Sequence, residues 1–156
     1  MSKHHKNCSK DPILGNFTLT VHPNEAAPTI QSYGNITFHK DGTLAAQNTG
    51  ALGQQTDAPV PFFETFASGS WKRVSKRGYK IYFFLAAVTA PSTPPYSPLG
   101  WVGVTADVAL SKDKQSISIT NAVARLYALT DPTFSNPTVL AHGHAEGSRI
   151  TFDTFQ

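Results

Sequence analysis

The stretch Ser68–Val88, SGSWKRVSKRGYKIYFFLAAV, decides the fold. It reads as two strands joined by a tight polar turn over Ser75–Gly78. The first strand carries Trp71 directly behind Gly69-Ser70. The second carries Tyr79, Ile81, Tyr82, Phe83, Phe84 and Leu85, the densest aromatic run in the chain. Moving outward, period-2 patterns bounded by Gly, Pro, Asn and Asp recur and mark further strands. Eight are predicted: Ile13–Val21, Ile30–His39, Thr43–Asn48, Phe66–Val74, Tyr79–Val88, Trp101–Leu110, Gln115–Ala128 and Thr138–Phe152. Only Pro61–Phe66 suggests a helical turn. The fold class is therefore all-β.

Composition agrees. The 156 residues are 40% hydrophobic and only 15% charged, with short apolar segments closely punctuated by turns. That length forms one domain with a real core, expected over residues 12–156 behind a disordered tail of residues 1–11. A net charge of +3 is mild and does not point to nucleic acid as a partner. The single cysteine, Cys8, excludes an internal disulfide. Met1–Lys10 is basic but has no apolar stretch behind it, unlike a secretory leader. No run reaches the roughly 18 apolar residues of a membrane helix, so no membrane span is expected. The chain reads as soluble and cytoplasmic.

The connections alternate in kind. Lys40–Gly42, Ser75–Gly78 and Ser111–Lys114 are short and charged. His22–Thr29, Thr49–Thr65, Ala90–Leu99 and Thr130–Pro137 are long and proline-rich. In an up-and-down meander, alternate loops fall at opposite ends. One end is then closed by tight turns and the other carries every long loop. Eight antiparallel strands close into a barrel, which removes the sheet edges. Such a barrel is wide enough for one small ligand, with the long-loop rim as its portal.

At this point the chain resembles the lipocalin-like (calycin) barrels, and uncharacterised bacterial proteins of that pattern more than the secreted lipocalins. The family mark is a Gly-x-Trp on the first strand with a basic side chain from the last strand packed across the ring. Here Gly15-Asn16-Phe17 stands in the first place and Gly147-Ser148-Arg149 in the second. The resemblance implies that Phe17 and Arg149 meet at the closed base. The allene oxide cyclase and dirigent barrels are a second resemblance, with the same strand number.

Taking the more apolar face of each strand as inward, the interior receives Phe17, Leu19, Val21, Ile36, Phe38, Trp71, Tyr79, Ile81, Phe83 and Leu85. It also receives Val102, Val104, Ala106, Val108, Ile117, Ile119, Val123, Val139, Ala141, Gly143 and Ala145. The last strand brings little volume, so part of the interior is expected to be empty. The candidate ligand-binding residues are Phe83, Leu85, Val102 and Val104 for an apolar body. Asn121, Arg125 and Tyr127, on the face of Val123, would orient a polar or anionic end. A bulge would turn Arg125 outward. The expected partner is a small, largely apolar molecule. An isomerase or cyclase using the same cavity is the alternative, with Tyr127 or Arg125 stabilising developing oxygen charge. A filled barrel with a structural or interaction role is the third reading.

Other motifs carry less. His142-Gly143-His144-Ala145-Glu146 places two imidazoles and a carboxylate on one strand face. That face is the outward one, and zinc or iron sites need three or four converging donors, so no metal is expected. No nucleophile elbow or nucleotide-binding glycine loop is present, and no cofactor is implied. Asp57 and Glu64 fall in the long third loop and read as solvated carboxylates. Lys40, Lys76, Arg77, Lys112 and Lys114 gather at the closed end, as turn residues do.

Overall fold

A computed structural model describes residues 11–23, 25, 31–48, 62–89, 97–131 and 133–151. They form nine strand segments and no helix. In chain order these are β1 (Gly15–His22), β2 (Ser32–Phe38), β3 (Thr43–Asn48), β4 (Phe62–Glu64) and β5 (Ala67–Arg73). They continue as β6 (Gly78–Thr89), β7 (Pro98–Leu110), β8 (Ser116–Ala128) and β9 (Thr138–Ile150). All pairings are antiparallel. β1 pairs with both β2 and β9, and β6 with both β5 and β7, so the sheet closes on itself. The result is an eight-stranded up-and-down barrel, in which β4 and β5 are two parts of one interrupted strand against β6. The interruption is a bulge. Thr65 Oγ1 accepts from the Ala86 amide at 3.0 Å, and Phe66 is extruded to 75% exposure. This corrects the expected helical turn at Pro61–Phe66. It also moves Glu64 from a loop into β4, whereas Asp57 lies outside the described residues.

The opening hairpin forms as its pattern dictates. Trp71 pairs with Ile81, and Tyr79 with Arg73 and Val108. Gly69 is required by close approach, because a Cβ there would stand 2.6 Å from the Phe83 Cβ. Trp71 meets Phe38 and Tyr79 edge-on, at centroid distances of 6.1 and 5.8 Å, and its indole donates to the His39 carbonyl.

The base is closed by a plug that the sequence pattern did not reveal. Ile13, read there as the start of the first strand, precedes β1 and is fully buried beside Phe17 and Tyr79. Asp11 anchors this segment. Its carboxylate accepts from the Tyr79 hydroxyl at 2.8 Å and lies 3.5 Å from the Arg73 guanidinium. From the other side, Arg149 stands over the Phe17 ring, 4.4 Å from its centroid. The same guanidinium donates at 2.7 Å to the carbonyls of Pro12, Leu14 and Lys114. One side chain thus binds the N-terminal plug, the first strand and the β7–β8 turn. Residues 1–10 of the expected tail lie outside the described residues.

Candidate functional site in the barrel interior

Two apolar clusters divide the interior. The larger, at the base, includes Phe17, Ile36, Phe38, Tyr79, Ile81, Val108 and Ile119. The smaller, toward the mouth, is built on Ala67, Leu85, Ala87 and Val102. Between them lies a cavity of about 130 Å³. Phe83, Leu85, Val102 and Val104 all line it, as their strand parity requires. The opposite wall is made of small residues, Ala122 and Ala124 from β8 and Ala141, Gly143 and Ala145 from β9. Packing of large side chains from β6 and β7 against alanines and glycine on β8 and β9 leaves the volume unfilled.

The rim is more polar. His22, Pro23, Thr65 and His144 line the cavity toward the mouth. The His22 and His144 rings stack at 4.6 Å across the β1–β9 pair. The chain after β1 turns over β9 here: the Glu25 amide donates to the His142 carbonyl at 2.9 Å. A Cβ on Gly143 would lie 2.5 Å from the His22 carbonyl oxygen, so this crossing needs a glycine. Ser32, at the mouth end of β2, is buried, and its hydroxyl has no hydrogen-bond partner among the described residues.

The polar half of the expected site is elsewhere. Asn121, Arg125 and Tyr127 lie on the outer face, together with Val123. The register of β8 shifts by a residue against both neighbours near Asn121, which adopts φ 52°. Beyond that bulge Ala122, Ala124 and Leu126 point inward instead. Outside, Asn121 donates to Asp107 at 2.9 Å and Arg125 donates to the Thr105 hydroxyl at 3.1 Å. Tyr127 packs on Phe84 and Phe134, with centroids at 5.7 and 5.4 Å. A second register shift, between Ala124 and Arg125, also corrects Val139, which is 52% exposed while Leu140 lines the cavity.

Among the described residues the cavity lining contains no carboxylate, ammonium, guanidinium or phenol. The groups that an isomerase or cyclase reading relied on, Arg125 and Tyr127, therefore do not face this space. His142, His144 and Glu146 are exposed, and no group of three metal-ligating side chains occurs among the described residues. No helix among them is long and apolar enough to cross a membrane. Comparison with protein-family models, curated proteins and solved structures finds no match.

Proposed function

We propose that the barrel binds a small, largely apolar molecule between Phe83, Leu85, Val102 and Val104 on one side and the alanine wall of β8 and β9 on the other. The cavity of about 130 Å³ carries this reading. An apolar protein cavity of about 150 Å³ stays dry and takes up benzene. The fitting occupant is therefore about one aromatic ring in size. Its polar end, where it has one, is neutral and points to the rim. The polar residues that border the cavity are His22, Asn35, Gln47, Thr65 and His144. An anionic end has no cationic partner in the described lining, since Arg125 is bonded to Thr105 on the outer face. The Arg149–Phe17 clamp is the feature by which the chain resembles the lipocalin-like barrels, and a divergent binding barrel of that kind is the reading it favours.

Native mass spectrometry of the gently purified protein, with denaturing extraction, tests this. A stoichiometric apolar compound, lost in an Ala124→Leu variant that fills the cavity, supports the proposal. An empty protein that also refuses benzene and toluene contradicts it.

A further inference from the structure

On the opposite side of the barrel wall the surface is unusually organised. A groove of about 580 Å³ runs along the outer face of β5–β8, separated from the interior by the Ile81 and Ala106 backbone. Its polar lining comes from Lys72, Lys80, Thr105, Asp107 and Asn121, and its aromatic wall is Tyr82. The register sets Lys80 beside Asp107 and, one step of about 7 Å higher, Tyr82 beside Thr105.

Two features organise this face. Asn121, at φ 52° in the β8 bulge, donates one amide hydrogen to a surface carboxylate, Asp107 Oδ2, at 2.9 Å. Lys80 Nζ lies 3.2 Å from the other oxygen, so Asp107 is fixed from two sides. The Asn121 amide, then Lys80, hold that carboxyl below its ordinary range, and it is an ionised acceptor at neutral pH. The second feature is Tyr82. It is 37% exposed, and its ring is set edge-on against Phe84 at 5.0 Å. Phe84 in turn is braced by Tyr127 and by Phe134, itself at φ 52°.

We propose that this outer groove binds a neutral saccharide, with Tyr82 against the C–H face of a sugar ring and Asp107, Asn121 and Lys72 on its hydroxyls. A pyranose presents an apolar face and a rim of groups that both donate and accept. The groove offers a ring beside a fixed acceptor and amide and ammonium donors, which matches both. Single-stranded nucleic acid fits less well. Its phosphates would meet the Asp107 carboxylate, and stacking needs successive free ring faces. A protein partner fits less well too, because the cores of such interfaces are depleted of charged residues.

The test is a titration of the ¹⁵N-labelled full chain with maltotetraose, cellotetraose, xylotetraose and chitotetraose at millimolar concentration, with oligothymidylate as the contrast. The expected result is saturable movement of the Tyr82, Thr105, Asp107 and Asn121 amides with at least one sugar. Tyr82→Ala should weaken that binding about tenfold. Lys72→Ala, at an exposed position that leaves the fold intact, should weaken it about threefold. Four sugars that leave these amides unmoved overturn the proposal. So does sugar binding unchanged in both variants, or movement of the same amides by oligothymidylate alone.

Discussion

Replacing Arg149 should cost this protein a large share of its stability, and the amount follows from the contacts it makes. Its guanidinium donates to three carbonyls at 2.7 Å, two of them on the plug segment Pro12–Leu14, and covers the Phe17 ring at 4.4 Å. A hydrogen bond to a charged group contributes about 1.5–3 kcal/mol, and the partly exposed setting argues for the lower figure. Three such bonds and about 1 kcal/mol of cation–π attraction sum to about 5.5 kcal/mol. Water reaching the freed carbonyls returns part of this, so Arg149→Ala should lose about 4 kcal/mol. For a chain of this size that is a fall in Tm of about 10 °C, measurable by calorimetry together with urea unfolding. Arg149→Lys keeps the charge but not the planar fork, and should lose about half as much. In Arg149→Ala, hydrogen exchange at Ile13 and Leu14 should rise ahead of the rest of the barrel, because the plug is released first. A loss below about 1 kcal/mol in Arg149→Ala, or a lysine variant equal to the natural protein, would refute the clamp.

Three further outcomes are expected. Ala124→Leu places its added carbons in the cavity, so urea unfolding should show no loss and a gain of about 1 kcal/mol, where the same change in a filled core costs about 1–3 kcal/mol. Tyr79 is pushed from 10.0 up to about 12, by burial first and then by its bond to Asp11. The folded state thus favours the protonated phenol, and the resulting stability is complete below about pH 10 and lost as pH rises through about 12. Alkaline unfolding should show this loss in the natural protein but not in Tyr79→Phe. Asp131 accepts from the Thr133 amide and hydroxyl and from the Asn136 amide, at 3.2, 2.9 and 2.8 Å, and so ties down the turn that carries Phe134. In Asp131→Ala, the Asn136 amide should exchange faster, and NMR should show Phe134 leaving Tyr127, with the barrel strands unchanged.

The fold was legible wherever the two faces of a strand differ. Trp101–Leu110 alternates Val, Val, Ala, Val and Leu with polar or small residues, and it forms β7 with Val102, Val108 and Leu110 buried. Tight charged turns marked the base, and the meeting of Phe17 and Arg149 there was implied by the resemblance of Gly15-Asn16-Phe17 and Gly147-Ser148-Arg149 to the lipocalin-like pattern. The site was only half legible, for a reason visible in β8. Past Asn121 the residues run Ala122, Val123, Ala124, Arg125, Leu126, Tyr127, so both parities carry apolar groups and neither declares itself inward. The bulge at Asn121 decides between them, and bulges carry no periodic signal. The same ambiguity hid the exchange of Val139 for Leu140. The plug was missed because Ile13 extends the apolar pattern of the first strand. Only the tertiary partners Tyr79, Arg73 and Arg149 separate it from β1.

The cavity itself is tested most directly by titrating toluene into the ¹⁵N-labelled protein and into Ala124→Leu, with calorimetry in parallel. An interior site gives saturable one-to-one binding. The amides of Phe83, Leu85, Val102 and Val104 move, those on the outer faces of β6 and β7 stay still, and the heat is lost in Ala124→Leu. Absence of binding in the natural protein, or equal binding in the filled variant, would mean that the interior takes no ligand and that the proposed function is wrong.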